Sequence, residues 1–214
     1  MFQKRNDIME LTIKKRLTIN SFDRLVNNLS KLPAIGNKTA IRLASFLIKT
    51  DADYANELAE SIINAKKSIS LCKICGNYSE GEYCVFCSNP SRTHKSICVV
   101  EEPLDIFNIE NTGNYKGLYH VLLGTISIQK GIGPSDLNIG TLLERLKKNS
   151  TEEIIIATNP TLDGDSTALF LKRKIEEIGN FKITRPAMGL PSGSIIEFTD
   201  RETLSRAFVN RINL

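Results

Sequence analysis

Four cysteines fall within sixteen positions of this 214-residue chain, in the pattern Cys72-x2-Cys75-x8-Cys84-x2-Cys87. Each Cys-x2-Cys pair forms a tight turn that supplies two thiolate ligands. The two pairs together can bind one ion in a tetrahedral shell of four thiolates, with no position for water. The first residues lack the apolar stretch of a secretory signal, and a reducing compartment favours a metal over disulfides. The spacing therefore predicts one structural Zn²⁺ per chain, and we expect this segment to be disordered without it. An iron–sulfur cluster is the second choice.

The charge of the chain is unevenly distributed. Residues 1–97 hold 15 Lys+Arg and 9 Asp+Glu, a balance of +6, whereas residues 98–214 hold 13 and 15, a balance of −2. The basic half is the one expected to face a polyanion such as nucleic acid, although many proteins that bind no nucleic acid carry a similar excess. A membrane-spanning helix needs about 18 consecutive apolar residues, and the sequence contains no such run. We therefore expect a soluble, cytoplasmic protein.

The apolar pattern divides the chain into five segments: a polar extension (1–20), a helical domain (21–70), the four-cysteine segment (71–95), an alternating region (96–180) and a tail (181–214). In the helical domain, apolar residues recur every three or four positions in stretches that begin near Phe22, Ala40 and Tyr54, which predicts three helices. We expect the first to end near Leu32, because Pro33 disfavours helical geometry before it.

The alternating region predicts an α/β sheet. Short apolar runs at 97–100, 118–123 and 154–157 are typical of buried parallel strands, and helical patterns at 104–111, 140–148 and 166–178 lie between and after them. The tail predicts two short strands, near Lys182 and Ile195, and a closing helix capped by Asp200.

The turn between the first two predicted helices has the features of a phosphate-binding hairpin. It reads Leu32-Pro33-Ala34-Ile35-Gly36-Asn37-Lys38-Thr39-Ala40 and is followed by Arg42 one helical turn after Lys38. Backbone amides at a helix start can meet a phosphate, and the two basic side chains add charge on the same face. The segment resembles the helix-hairpin-helix of DNA-repair proteins, with Ala34 where those hairpins have Gly. An ordinary turn between packed helices is the alternative.

Two acidic clusters follow predicted strands, where parallel sheets place functional groups. The first contains Glu101 and Glu102, and the second runs from Asn159 and Thr161 to Asp163 and Asp165. The arrangement resembles the Toprim fold, in which a Glu and an Asp-x-Asp together hold Mg²⁺ for phosphoryl chemistry. Glu101 matches that glutamate, but Asn159 and Thr161 stand where the Asp-x-Asp would be. An amide and a hydroxyl bind Mg²⁺ poorly by comparison with carboxylates, so we interpret the sheet as a degenerate, non-catalytic Toprim.

Taken in order, these segments resemble the RecR family of bacterial recombination mediators from about Phe22 onward. The motifs that carry the resemblance are the hairpin, the cysteine spacing, Val99-Val100-Glu101-Glu102-Pro103, Gly117-Leu118-Tyr119-His120-Val121-Leu122 and Ala157-Thr158-Asn159-Pro160-Thr161. The resemblance implies a mixed α+β and α/β fold with an N-terminal helix-hairpin-helix, a four-cysteine zinc finger, a Toprim-like sheet and a short C-terminal strand-helix tail.

The resemblance also implies a function in DNA repair and recombination. RecR proteins form rings, commonly tetramers, and act with RecO, and in some settings RecF, to load RecA onto single strands coated by SSB. It implies sequence-independent binding of single- and double-stranded DNA through Gly36, Lys38 and Arg42. It further implies docking of the partner protein on the acidic residues of the sheet, here Glu101, Glu102, Asp163 and Asp165.

The tail departs from the family pattern, because Met188 stands where a His is usual and Ile195 where an acidic residue is common. A nucleotide-binding role for Gly189–Gly193 is thereby weakened, and a packing turn is the plainer interpretation. Two other functions stay open: a Mg²⁺-dependent Toprim enzyme using Glu101, Asp163 and Asp165, and a zinc-stabilised interaction module without DNA contact.

Overall fold

The computed structural model describes residues 20–148 and 150–212, which fall into two compact units divided between Lys67 and Ser68. The predicted extension, apart from Asn20, lies outside the described residues. Over the described ranges, no helix is both long enough and apolar enough to cross a membrane.

The first unit contains the three predicted helices, α1 (Asn20–Leu29), α2 (Asn37–Lys49) and α3 (Ala52–Ser68). The first helix ends at Leu29, three residues earlier than expected, because the hairpin turn already begins there: Leu32 N–H donates to the Leu29 carbonyl over 3.1 Å. Helices α1 and α2 pack through Val26, Ala40 and Ala44. Two alanines at the contact allow the two helix backbones to approach closely.

The second unit is built on a four-stranded parallel sheet, whose strands lie side by side in the order Leu118–Val121, Ser96–Val100, Glu153–Ala157 and Lys182–Thr184. Its elements in chain order are the hairpin strands β1 (Ser70–Leu71) and β2 (Tyr78–Ser79), then β3 (Ser96–Val100), α4 (Pro103–Glu110), β4 (Leu118–Val121), α5 (Ile139–Lys148), β5 (Glu153–Ala157), α6 (Leu162–Glu176), β6 (Lys182–Thr184) and α7 (Arg201–Val209). The three predicted strands, their intervening helices and the Asp200 cap of the closing helix are confirmed.

In the second unit, one predicted helix boundary and one predicted strand are wrong. Helix α6 begins at Leu162, four residues before the predicted start, because the Thr161 hydroxyl caps it by accepting the Gly164 N–H at 3.1 Å. Asp163 and Asp165 therefore lie in a helix and not in a loop. The strand predicted near Ile195 is replaced by a 3₁₀ turn over Ile196–Phe198, following a segment that contains Pro191 and Gly193. Proline and glycine both weaken strand formation.

The sheet is covered on both faces, as a parallel sheet requires. One face of β3 and β5 packs against α5 and α6 through side chains that are nearly all inaccessible to solvent: Ile97, Val99, Ile154, Ile156, Leu142, Leu146, Leu171 and Ile175. The opposite face of the sheet, formed here by β3 and β4, packs against α4 and also reaches Phe86 of the four-cysteine segment. The alternation of Ile97 and Val99 with Cys98 and Val100 thus divides one strand between two cores.

We predict that Ala34→Gly stabilises the first unit by about 0.5–1 kcal/mol. Ala34 adopts a φ of +62°, a left-handed conformation that costs an L-residue about 1–2 kcal/mol, partly offset by the extra freedom of glycine in the unfolded chain. Slower hydrogen exchange of the Ala40 and Ala44 amides would report the gain. The same change at the exposed, helical Ala65 should have the opposite sign and cost about 1 kcal/mol. Equal losses at both positions would contradict the assignment of strain to Ala34.

Candidate functional site

The four cysteines of the predicted metal site converge in space. Their Sγ atoms all lie within 4.8 Å of one another, and those of Cys75 and Cys84 are 3.5 Å apart. A tetrahedron with a Zn–S bond of about 2.3 Å places its sulfurs about 3.8 Å apart, so the group has the size of a zinc shell. Cys72, Cys75 and Cys84 are buried and Cys87 is half-buried. The site fits a structural zinc ion. Such an ion would cross-link the segment, and four thiolates would leave it no open coordination position.

The backbone around the cysteines forms the turns that such a shell needs. The Cys72 amide donates to the Asn77 carbonyl over 2.7 Å, and the Gly76 amide donates to the Cys72 carbonyl over 2.9 Å. Gly76 has a φ of +75°, and a Cβ built there would lie 2.8 Å from the Asn138 amide nitrogen. The first turn therefore requires glycine for its conformation and for its close approach to the sheet.

The four-cysteine segment is fastened to the edge strand β4. The Val121 N–H donates to the Cys75 carbonyl over 2.7 Å, so the finger occupies a backbone position that an edge strand would leave open. Phe86 packs edge-on against Tyr119 with ring centroids 5.3 Å apart. Arg92, which follows the finger, donates to Glu110 and to the Gly117 carbonyl and lies over the Phe86 ring. Finger and sheet thus form a continuous packed structure.

The sheet has its topological switch point between β3 and β5, where the chain leaves to opposite sides. Ligands of open α/β sheets bind outside the carboxyl ends of the strands at such a point. Glu101 follows β3 and Asn159 follows β5, and the two meet there. Both carboxylate oxygens of Glu101 accept from Asn159, one from its backbone N–H and one from its side-chain amide, each over 2.7 Å. The residue that replaces a metal-binding aspartate therefore supplies two donors to the glutamate.

Asp165 is held by two arginines that sequence reasoning missed. Arg185 donates to one carboxylate oxygen of Asp165 over 2.9 Å, and Arg206 lies 3.3 Å from the other. Arg185 comes directly after β6 and Arg206 lies on α7, so both are far from Asp165 in the chain. Neither position forms a recognisable motif with Asp165. Only the fold reveals that this acid is already paired with cations.

The remaining acidic residues of the expected docking set lie at the same end of the sheet. Glu102 is exposed at the N-cap of α4, and Asp163 is half-buried in the first turn of α6. Gly164 lets α6 start close to the Glu101 loop, because a Cβ there would overlap the Asn159 carbonyl and lie 2.9 Å from the Glu101 carboxylate. Across residues 20–148 and 150–212, only the four cysteines form a group of three or more potential metal ligands.

The hairpin presents its helix start to solvent. Gly36 is the N-cap of α2 in an extended conformation, and a Cβ built on it meets no described atom within 4 Å. Gly36, Lys38 and Arg42 are all exposed, and the two basic residues, four positions apart, share one face of α2. No ion pair among the described residues uses either basic side chain. The predicted DNA-contacting residues are therefore brought together and uncommitted to acidic partners.

Cys98 and His120 are buried in the sheet and belong to none of the predicted sites. Burial raises the pKa of the Cys98 thiol to about 12, which keeps it protonated. His120 lies in β4 with no exposed surface, and burial, together with the charge of Arg145, lowers its pKa to about 4. Its Nε2 is 2.8 Å from the Asn138 carbonyl, which a neutral ring satisfies as a donor.

Comparison with known protein families matches most of the described chain in consecutive segments. Residues 22–66 match the RecR helix-hairpin-helix, residues 69–89 the four-cysteine zinc finger domain of RecR, residues 95–187 the Toprim domain and residues 189–212 the RecR C-terminal model. The zinc finger match coincides with the converging cysteines, and the Toprim match coincides with the parallel sheet.

Curated relatives resemble the chain over nearly its whole length. Recombination protein RecR of Lactococcus lactis subsp. lactis is 47% identical over 191 residues, which are 89% of this chain and 96% of the relative. Recombination protein RecR of Carboxydothermus hydrogenoformans is 47% identical over 188 residues, 88% of this chain and 94% of the relative. That of Moorella thermoacetica is 46% identical over 192 residues, 90% and 96% of the two chains. The chain, with its hairpin, its four-cysteine zinc site and its Toprim sheet, belongs to the RecR family of recombination proteins.

Proposed function

We propose that this protein is a non-catalytic DNA-binding mediator of recombination that acts with RecO, and in some settings RecF, to load RecA onto SSB-coated single strands. The observation that carries the proposal is the exposed start of α2, where Gly36 leaves backbone amides accessible and Lys38 and Arg42 supply unpaired charge. Amides and cations at a helix start recognise phosphates and not base edges, so binding is independent of sequence. Single- and double-stranded DNA both offer this backbone.

The state of the Toprim acids supports a scaffold and not an enzyme. Catalytic Mg²⁺ needs several free oxygen ligands, yet both Glu101 oxygens accept hydrogen bonds from Asn159, and Asp165 is paired with Arg185 and Arg206. The protein's own donors therefore satisfy the charges that a metal ion would otherwise neutralise. The acidic residues still stabilise the fold, since Asp163 and Asp165 lie at the positive end of the α6 dipole.

The acidic end of the sheet is a suitable docking surface for a basic partner, and we assign RecO to it. Exposed apolar side chains lie close in sequence to Glu102 and Asp163, namely Leu104, Phe107 and Leu162, which are 68%, 62% and 88% exposed. Apolar residues beside acids combine the two ingredients of an interface, contact area and charge complementarity. Glu101 and Asp165 are already paired within the chain, so they would add less to RecO binding than Glu102 and Asp163.

A homo-oligomer, as a tetrameric ring or a dimer, accounts for the apolar surface of the first unit. None of the residues of α3 is buried, although the helix carries Leu58, Ile62 and Ile63. On α2, Phe46 and Ile48 are 56% and 61% exposed. A second copy of the chain would remove this surface from water. Repetition of the hairpin in such an assembly would also multiply the phosphate contacts.

The DNA-binding proposal predicts that the Lys38→Ala/Arg42→Ala double variant loses at least about tenfold in affinity for both DNA forms. Two fewer phosphate contacts should also lower the magnitude of the salt slope by about 2. Fluorescence anisotropy over a salt series measures both quantities. Lys49→Ala, an exposed charge at the other end of α2, is the matched control and should change affinity less. If the double variant keeps wild-type affinity and salt slope, the hairpin does not contact DNA. That result would favour the alternative of a zinc-stabilised interaction module without DNA contact.

The scaffold proposal predicts that Asn159→Asp makes the protein respond to Mg²⁺. A carboxylate in place of the amide donor would face Glu101, so we expect a loss of about 2 kcal/mol at neutral pH that millimolar Mg²⁺ partly restores. Asn159→Ala removes the donor without adding charge and should lose about 1 kcal/mol with no Mg²⁺ response. Urea unfolding with and without Mg²⁺ distinguishes the variants. If wild-type protein nicks supercoiled DNA with Mg²⁺ and Glu101→Gln abolishes the nicking, the protein is an enzyme.

The docking proposal predicts that charge reversal at the two acids without a basic partner among the described residues, the exposed Glu102 and the half-buried Asp163, weakens RecO binding. Glu102→Lys combined with Asp163→Lys should reduce affinity for purified RecO at least about tenfold by isothermal titration calorimetry, with DNA affinity no weaker than in the wild type. Glu176→Lys changes an exposed acid at the opposite end of α6 and serves as the control. Equal RecO affinity in all three proteins would place the partner elsewhere.

A further inference from the structure

Arg145 is a buried cation that has no carboxylate partner among residues 20–148 and 150–212. It lies in the last turn of α5, is 7% exposed, and donates from Nη1 to the Tyr119 carbonyl over 2.7 Å. Its Nε is buried and has no hydrogen-bond partner, and no ion pair within residues 20–148 and 150–212 includes it. Arg92, which is also buried, is in contrast paired with Glu110.

A buried unpaired charge is costly enough to require an explanation. The penalty for removing such an ion from water is several kcal/mol, and buried cations in proteins are usually paired with a negative charge. The C-terminal end of α5 supplies only about half a negative charge. His120 supplies no negative charge, because its ring is neutral and its pKa is lowered partly by the charge of Arg145 itself. A further source of negative charge is therefore expected close to Arg145.

The zinc site is the negative centre on the same edge of the sheet. Arg145 lines a cavity of about 340 Å³ together with Cys87 and Ile74 of the finger. The connection through β4 is short, because Tyr119 accepts from Arg145 and Val121, two residues on, donates to the Cys75 carbonyl. Two residues along a strand span about 6.6 Å. Four thiolates around one Zn²⁺ carry a net charge of −2, which the described ion pairs leave uncompensated.

We propose that Arg145 is the counter-charge of the zinc–tetrathiolate centre, a positioning residue that strengthens zinc binding and couples the finger to α5. Its guanidinium lowers the electrostatic cost of gathering four thiolates, and the centre in turn removes the cost of burying Arg145. Groups outside the ligand shell commonly tune metal affinity by about 10- to 100-fold. Two more charged residues, Lys148 and Glu144, line the same cavity. Glu144 is exposed and paired with Lys147 at 2.9 Å, so its carboxylate is already compensated outside the zinc site.

The test compares zinc affinity and stability in full-length variants. Arg145→Met preserves the volume and removes the charge, Arg145→Lys preserves the charge, and Leu142→Ala damages the core from the same helix without changing any charge. Competition with a chromophoric chelator measures zinc affinity. We expect about 10- to 100-fold weaker binding for Arg145→Met, binding within about threefold of wild type for Arg145→Lys, and no comparable loss for Leu142→Ala.

Thermal unfolding of zinc-loaded and zinc-free protein provides a second readout. If Arg145 balances the metal centre, Arg145→Met should lower the melting temperature of the loaded protein and leave unchanged, or raise, that of the zinc-free protein, in which the charge has no partner. A merely structural arginine would lower both equally. Wild-type zinc affinity in Arg145→Met, equal affinity losses in Arg145→Met and Leu142→Ala, or equal melting shifts in both metal states would each overturn the proposal. Stabilisation by added phosphate with unchanged zinc affinity in Arg145→Met would instead identify the cavity as an anion site.

Discussion

The pairing of β3 with β5 is the constraint on which the second unit depends. Their parallel register, with Val99 opposite Ile156 and Val100 opposite Ala157, makes both strands end at the same edge. Glu101 and Asn159 therefore meet at the switch point although 58 residues separate them. A one-residue slip in this register would send the side chains of β3 into the opposite core and separate Glu101 from its donors. The register of β3 and β5 thus determines both the packing of the core and the arrangement of the acidic residues at the end of the sheet.

Charge compensation within the chain distinguishes this sheet from a metal-dependent one. Asn159 supplies hydrogen-bond donors to Glu101, and Arg185 and Arg206 supply cations to Asp165. These groups are fixed by the fold, so Glu101 and Asp165 have partners without an external ion, whereas Glu102 and Asp163 keep the edge acidic. Such an edge can present a stable acidic surface to a partner, whereas an edge that awaited Mg²⁺ would change charge with metal supply. This difference is the physical basis for proposing a mediator in place of a nuclease.

The finger has a structural role that extends beyond its own turns. It covers the edge strand β4 through the Val121–Cys75 hydrogen bond and extends the core through Phe86. Since four thiolates and one ion replace a hydrophobic core in a segment this short, the energy of zinc binding is also the energy that holds this cover in place. Arg145 would link that energy to α5, and so to the sheet.

The sequence alone determined the features that depend on local spacing. The cysteine intervals predicted the metal site, apolar periodicity predicted the three N-terminal helices and the buried strands, and Asp200 predicted the start of the last helix; all are present. It also predicted that Asn159 disables a metal site, but not that its amide donates to Glu101. Tertiary structure alone decided the pairing of Arg185 and Arg206 with Asp165 and the burial of Arg145. Those features depend on which distant residues the packing brings within a few ångströms, and no interval along the chain encodes that distance.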